Sequence, residues 1–133
     1  MNDGSKPWVL VVEDDFENQK FLKIFLQRRF NVDVCDSADT CYEQMAKQEF
    51  DLLIMDISLR GKKDGLQLTK ELRSNDTYKN LPIVCLSAHA FQRDKDNAYN
   101  AGVDVFITKP VQNHILLAAI LKVLKDRRGI DLE

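Results

Sequence analysis

Five residues with chemically active side chains stand directly after short apolar runs of the sequence. The runs are VLVV, LLIM, IVCL and VFIT, and the residues that follow them are Glu13, Asp14, Asp56, Ser87 and Lys109. Short, near-continuous apolar runs are typical of strands that are buried on both faces of a parallel sheet. Parallel strands end at one shared edge, where open α/β sheets keep their sites. Counting the adjacent Asp15, we therefore expect three or four carboxylates, a hydroxyl and one ammonium to meet at that edge.

This set of groups suits the transfer of a phosphoryl group to a carboxylate. An aspartate such as Asp56 can attack phosphorus and form an acyl phosphate. The two reacting anions repel each other, so the reaction needs a cation, and Mg²⁺ held by one or two carboxylates is the usual choice. Glu13 and Asp14 could hold the metal ion beside Asp56. Lys109 and the hydroxyl of Ser87 could then bind the phosphoryl group.

Each of these residues, taken singly, has a more ordinary interpretation. An acidic pair such as Glu13 and Asp14 before a helix commonly interacts with the helix dipole. Asp56 and Ser87 could be turn or N-cap residues, and Lys109 could be a solvated loop lysine. The prediction of a site depends on their occurring together, in an order that suits one reaction.

Helical patterns alternate with the apolar runs along the chain. A first amphipathic helix is predicted to turn one apolar side to the core, formed by Phe21, Leu22, Phe25, Leu26 and Phe30. A last helix over about residues 111–127 is predicted to bury Ile115, Ala118, Ala119 and Val123. Five strand–helix units emerge, and connections this short imply right-handed crossovers. The sequence therefore predicts an α/β fold, a parallel sheet with helices on both faces.

Composition excludes several classes of protein. The 133 residues suit one domain, and a net charge of -2 argues against a general nucleic-acid binder. No apolar stretch approaches the roughly 20 residues of a membrane span, so we expect no membrane partner. Cys35, Cys41 and Cys85 lie in apolar settings, which favours reduced, packed thiols and a cytoplasmic location.

The chain resembles the receiver domains of two-component response regulators. The matching segments are VLVVEDD, DLLIMD, DGLQLTKELR, LSAHA and VDVFITKPV, which together extend over nearly the whole sequence. The resemblance implies a doubly wound, flavodoxin-like three-layer sandwich whose parallel strands have the order 2-1-3-4-5. It also implies a single receiver domain over residues 1–133, with a core of about residues 7–127.

The resemblance assigns a role to each position that matches. Asp56 is implied as the phosphoacceptor, and Mg²⁺ is implied to bind Asp14, Asp56 and the carbonyl of Ser58, with Glu13 acting mainly through water. The implied phosphoryl contacts and switch residues are Ser87, the backbone N–H of Ala88, Lys109 and Phe106. His89 and Ser58 are implied as positions that modulate the phosphoryl lifetime.

Departures from the family pattern concern its details. Glu13 stands where many members have aspartate, and Ser87 replaces a more frequent threonine. Phe106 lacks the hydroxyl of the tyrosine that is often found there, so it could report the signalling state only through packing. The loop between Asp56 and Gly65 is longer than usual by one residue, which affects partner preference more than chemistry.

The predicted function is a signalling switch, not an enzyme acting on other substrates. A sensor histidine kinase or phosphotransfer protein is expected to phosphorylate Asp56, and the modified domain is expected to bind a downstream protein or to form a homodimer. Because the chain ends about one helix after Lys109, we expect a stand-alone receiver; a receiver excised from a larger protein is the alternative. Two other functions remain open: a phosphatase of the haloacid dehalogenase type, and an interaction module that takes no phosphate.

Overall fold

A five-stranded parallel sheet lies between two layers of helices in the computed structural model, which describes residues 6–57, 64–88 and 91–132. Ser58, Arg60 and His89 lie outside the described residues. The elements in chain order are β1 (Trp8–Val12), α1 (Phe16–Leu26), β2 (Asn31–Cys35), α2 (Ala38–Lys47), β3 (Leu52–Asp56), α3 (Gly65–Arg73), β4 (Ile83–Ser87), α4 (Gln92–Ala101), β5 (Val105–Thr108) and α5 (Asn113–Arg128).

The order of the strands is β2-β1-β3-β4-β5, and every neighbouring pair is parallel. This confirms the predicted fold class and strand order. β3 and β4 are buried along their whole length, whereas every residue of the outer strand β5 is only partly buried. The near-continuous apolar runs therefore arise from burial on both faces of the sheet, as the sequence predicted. A central strand that is covered by helices on both faces exposes neither set of its side chains.

Alternate side chains of each strand enter two separate cores. On one face Leu10 and Leu53 pack with residues of α2, α3 and α4. On the other face Val9 and Ile54 pack with residues of α1 and α5. This alternation follows from the period of two along a strand, and it divides the helices into the two outer layers.

Two of the predicted inward-facing sets are partly wrong. In α1 the buried residues are Leu22 and Leu26, while Phe21 is 60% exposed. In α5 Ile115 is 48% exposed, and the buried residues are Leu116, Ile120, Val123 and Leu124. Apolar residues that recur every three or four positions fit more than one helical face. The spacing therefore indicated both helices correctly, but it wrongly added Phe21 to the inner face of α1 and placed most of the inner face of α5 one residue away.

Helix caps, a helix end and buried thiols complete the described fold. Ser37 caps α2, its side chain accepting a hydrogen bond from the N–H of Thr40. Gly102 ends α4 in the left-handed region, with a φ of 116°. Cys35, Cys41 and Cys85 are buried free thiols. Among the described residues, no helix combines the length and the apolar character that crossing a membrane would require.

Candidate functional site

The carboxyl ends of four strands bring the predicted site residues together. Glu13 follows β1, Asp56 and Ser87 are the last residues of β3 and β4, and Lys109 follows β5. Lys109 Nζ lies 2.7 Å from Asp56 Oδ2 and 3.0 Å from Glu13 Oε1. The ammonium thus bridges two carboxylates that are 43 residues apart in the sequence, the difference between positions 56 and 13.

Burial dominates the electrostatics of this cluster. Glu13 is 2% exposed and Asp56 8%. Burial raises the pKa of Glu13, and the nearby charge of Asp56 adds to the increase, while hydrogen bonds from the Asp15 amide and Lys109 oppose it. Burial alone would lower the pKa of Lys109, but hydrogen bonds to Asp56 and Glu13 outweigh it and raise that pKa. Lys109 is therefore held as a cation.

The backbone that carries Lys109 is fixed to the neighbouring strand. The Lys109 N–H donates to the carbonyl of Ser87 at 2.8 Å, directly after β4 and β5 end. Ser87 itself is fully buried, and Ala88 beside it is exposed. A group bound next to Asp56 would therefore find the Ser87 hydroxyl, the Ala88 backbone and the Lys109 ammonium on adjacent strand ends.

Asp14 and Phe106 take different positions relative to this cluster. Asp14 follows Glu13 after the end of β1 and is partly exposed, whereas Glu13 is buried. Phe106 lies in the middle of β5 and packs, partly buried, against the core formed with α2, α3 and α4. The predicted contributions of Ser58 and His89 lie outside the described residues.

Gly65 is a residue of the site that sequence reasoning did not identify. A Cβ at this position would lie 2.6 Å from the carbonyl oxygen of Asp56 and 2.8 Å from Ile57 Cα. The Gly65 N–H also donates to the Ile57 carbonyl at 2.9 Å. The first turn of α3 thus touches the backbone that carries Asp56, a contact that only glycine permits. A Gly preceded by the cap residue Asp64 was the available signal, but it equally fits an ordinary helix start.

Gln19 is a second residue that the sequence did not reveal. Its side-chain Nε2 donates to the carbonyls of Glu13 at 2.5 Å and Cys35 at 3.3 Å, the first residue after β1 and the last of β2. The Cys35 carbonyl also accepts the Glu13 N–H at 2.9 Å. Gln19 therefore fixes the peptide between Glu13 and Asp14, although a glutamine within an amphipathic helix carries no signal of such a role.

The donor set fits a hard divalent cation. Carboxylate oxygens are the preferred ligands of Mg²⁺, which usually keeps several waters and takes only one or two protein carboxylates. Three carboxylates (Glu13, Asp14 and Asp56) lie at strand ends with a single ammonium among them, and mutual repulsion contributes to the raised pKa of Glu13. Within the described ranges, no group of three or more His, Cys, Asp or Glu side chains is arranged as a metal site.

An apolar groove of about 430 Å³ adjoins the cluster on the side of α1 and α5. Glu13, Ala88 and Lys109 lie along it, and Phe21 and Leu116 are among its apolar residues. Helix α1 exposes three large apolar side chains, those of Phe16, Phe21 and Ile24, and Phe21 lines the groove. The site thus opens into a groove whose lining is mostly apolar apart from Glu13, Lys109 and two asparagines.

Comparison with known proteins agrees with this architecture. The sequence model of the response regulator receiver domain family matches residues 9–121 of this chain. The chain is 31% identical over 120 residues to the sensor protein GacS of Pseudomonas syringae, matching 87% of this chain and 13% of that protein. It also covers only about half of the length of other curated relatives.

Solved structures show the same fold. A putative response regulator from Chloroflexus aurantiacus superposes with a TM-score of 0.84 at 28% identity, covering 90% of this chain and 98% of that one. The receiver domain of a sensor histidine kinase from Pseudomonas aeruginosa, with a magnesium ion in its active-site cleft, gives a TM-score of 0.78 at 26% identity over 93% and 98% of the two chains.

Receiver domains of this kind are signalling switches of two-component systems rather than classical enzymes; they interact with sensor histidine kinases and generally bind Mg²⁺. The match over residues 9–121 includes all of the described sheet except Trp8, and it reaches Leu121 in α5. The strand order, the acidic cluster and the lysine after β5 all agree with it. The chain belongs to the response regulator receiver family.

Proposed function

We propose that Asp56 accepts a phosphoryl group from a phosphohistidine in a Mg²⁺-dependent reaction. The observation that carries this proposal is the contact of 2.7 Å between Lys109 Nζ and Asp56 Oδ2. A fixed ammonium beside a buried carboxylate provides a binding position for the charge that phosphorylation adds. The protein would act on its own aspartate and on no other substrate.

In the proposed reaction an oxygen of Asp56 attacks phosphorus, the P–O bond forms, and the P–N bond to the donor imidazole breaks. Lys109 would pair with the phosphoryl oxygens, and the Ser87 hydroxyl and Ala88 N–H would donate to them. Asp14, Asp56 and the carbonyl of Ser58 would hold Mg²⁺, with Glu13 acting through water. The ion, when bound, supplies positive charge that lowers the repulsion between the two reacting anions.

We propose further that the donor protein docks over the groove between α1 and α5. A donor histidine that reaches Asp56 must bring neighbouring residues of its own protein to the same edge of the sheet. The groove is continuous with the site, since Glu13 and Lys109 line both, and it offers apolar surface to a partner. A Phe21→Ser substitution is expected to slow transfer from a kinase or phosphotransfer protein and to leave labelling by a small phosphodonor unchanged.

The output we propose is binding of a downstream protein, or self-association, through the face formed by α4, β5 and α5. Phe106 belongs to the strand of this face, and β5 is one of the two outer strands of the described sheet. The proposed unit is a single receiver domain over residues 1–133 with a core of about 7–127, acting in the cytoplasm, where buried free thiols such as Cys85 are stable.

The proposal is tested by labelling with a small acyl phosphate in the presence of Mg²⁺. The wild type should gain one phosphoryl group that is labile in base, and Asp56→Asn should gain none, because an amide is a poor nucleophile. Asp39→Asn, which alters an exposed aspartate of α2, is the matched control and should label normally. Removal of Mg²⁺ should suppress labelling in both.

Three other outcomes would contradict the proposal. Labelling of Asp56→Asn to the wild-type level would mean that the acceptor is misassigned. Continuous release of inorganic phosphate over many turnovers would favour the phosphatase alternative. An absence of label in the wild type would favour the interaction module that takes no phosphate.

A further inference from the structure

Helix α4 has little apolar surface to hold it in place. Its buried residues are the two alanines Ala98 and Ala101. Its C-terminal end is anchored by Arg73, whose Nε donates to the carbonyl of Gly102 at 2.8 Å. Burial of two methyl groups gives far less stabilisation than the leucine-rich faces of α3 and α5 receive. Polar contacts of α4 therefore contribute an unusually large share of its attachment.

One such contact joins α4 to the outer strand. The N–H of Phe106 donates to the hydroxyl of Tyr99 at 3.1 Å. Because β5 pairs with β4 on one side only within the described sheet, alternate N–H groups of β5 point away from its neighbour. Tyr99 covers one of these groups. Tyr99 is 50% exposed, so burial of its ring gives only part of the stabilisation that a core side chain would receive.

The hydrogen bond between Phe106 and Tyr99 links α4 and β5, which both adjoin residues of the site. Ser87 ends β4 and α4 follows it in the chain; Tyr99 then connects α4 to Phe106 of β5. β5 leads to Lys109, whose N–H returns to the Ser87 carbonyl. A displacement of Ser87 or Lys109 toward a group on Asp56 therefore acts on both partners of the Tyr99 hydrogen bond.

We infer that Tyr99 is a positioning residue of the switch, which holds α4 against β5 while Lys109 is paired with the carboxylate of Asp56. This inference rests on the proposed phosphorylation of Asp56. The hydrogen bond from Phe106 N–H to Tyr99 breaks when the phosphoryl group draws Ser87 and Lys109 toward it. Phe106 lacks the hydroxyl of the tyrosine that is often found at its position, and in this chain the hydroxyl beside β5 comes from Tyr99 of α4.

The inference has a thermodynamic consequence that can be measured. An interaction that is made in only one of two conformations shifts their equilibrium by its own free energy. Tyr99→Phe removes the hydroxyl and keeps the ring, so it favours the released conformation by the value of one hydrogen bond, a factor of about 2 to 12. Because coupling is reciprocal, a phosphoryl mimic should bind the variant more tightly by the same factor.

The test measures amide hydrogen exchange at Phe106 by NMR, together with binding of beryllium trifluoride in the presence of Mg²⁺. Wild type is compared with Tyr99→Phe and with the matched control Tyr78→Phe, which alters a tyrosine before β4 at the opposite end of the sheet. Without the mimic, exchange should be about 2- to 12-fold faster in Tyr99→Phe alone. With the mimic bound, the Phe106 amide of the wild type should exchange as fast as it does in Tyr99→Phe. The exchange rate in Tyr99→Phe should not change.

Two results would overturn the inference. Equal Phe106 exchange in wild type and Tyr99→Phe would mean that the hydroxyl does not protect this amide. A second result would be faster Phe106 exchange in Tyr99→Phe, but no effect of the mimic on exchange in the wild type and equal affinity of both proteins for the mimic. Tyr99 would then protect the edge of β5 in both conformations and would not take part in the switch. Failure of wild type to bind the mimic at all would instead contradict the proposed function, and the inference with it.

Discussion

The two sides of the sheet edge differ in how firmly they are held. Glu13, Asp56 and Ser87 are almost completely buried, and charged hydrogen bonds connect Lys109, which follows β5, to the ends of β1 and β3. On the side of α4 and β5 every strand residue is only partly buried, and the helix is anchored by two alanines and a few polar contacts. The reactive groups thus lie in the well-packed part of the sheet edge, and the weakly attached α4 and β5 lie beside it.

This difference indicates where a local change of charge can become a change of shape. A tightly packed cluster cannot deform gradually, whereas a weakly attached element moves at small cost. A phosphoryl group on Asp56 would therefore be accommodated with little change among β1, β3 and β4. The response would be expressed in α4 and β5, which adjoin Ser87 and Lys109 in the chain.

The largest expected effect comes from removing the cation of the rigid side. Lys109→Ala leaves Glu13 and Asp56 buried without their ammonium, so the free energy of unfolding should fall by about 3 kcal/mol. Urea unfolding measures the change, and Mg²⁺ should restore part of the loss. Lys122→Ala, which breaks an exposed ion pair with Asp126, is the control and should change stability little. Equal losses in the two variants would contradict the importance of burial at this site.

The next largest effect is expected at the contact between α3 and β3. The methyl group added by Gly65→Ala meets the Asp56 carbonyl at 2.6 Å, so the backbone must move and stability should fall by about 2 kcal/mol. Phosphoryl acceptance should fall with it, because the displaced residue is the acceptor itself. Gly129→Ala has open space around the added carbon but a φ of 68°; it should lose about 1 kcal/mol and accept phosphate normally. Normal labelling of Gly65→Ala would refute this positioning role.

The fold was predictable because strand burial, helix periodicity and capping agree along the chain. β3 and β4 are buried along their whole length, as their apolar sequences predict, and Ser37 caps α2. The inner face of a helix was less predictable. Phe21 belongs to the apolar pattern of α1 yet lies on its outer side, since periodicity alone does not tell core residues from an exposed apolar surface.

The meeting of Glu13, Asp56 and Lys109 was predictable because parallel strands share one carboxyl edge. Gly65, Gln19 and Tyr99 were not, because each acts through a backbone group that no sequence pattern identifies: the Asp56 carbonyl, the Glu13 carbonyl and the Phe106 amide. Such contacts depend on how two elements lie against each other, which is a property of the folded chain.

A smaller effect is expected from relieving the repulsion within the acidic cluster. Asp14→Asn removes one of three neighbouring negative charges, so stability without metal should rise by about 1 kcal/mol. The stabilisation that Mg²⁺ gives to the wild type should decrease, because a ligand is lost. Thermal unfolding with and without Mg²⁺ measures both changes. Asp15→Asn keeps a good cap for α1 and serves as the control. A wild type whose melting temperature does not respond to Mg²⁺ would count against this metal site.

The smallest effect on stability, and the sharpest test of the comparison, is expected at Phe106. Its ring packs partly buried against the core, with no polar atom that needs a partner there. Phe106→Tyr adds a hydroxyl whose burial without a hydrogen bond is unfavourable. Conformations with this side chain packed inward should therefore lose about 0.5 to 1 kcal/mol of stability relative to conformations with it turned outward. The wild type should then bind its partner, or itself, more readily without phosphate than Phe106→Tyr does.

Dissociation constants measured with and without beryllium trifluoride test this expectation for both proteins. The mimic should strengthen binding by a larger factor in Phe106→Tyr, because that variant begins with fewer molecules in the inward, binding-competent conformation. Chemical shifts report where the change occurs. If the mimic altered another surface and left α4, β5 and α5 unchanged, the weakly held side would not be the output face. The contrast between the two sides of the sheet edge would then describe stability alone and not signalling.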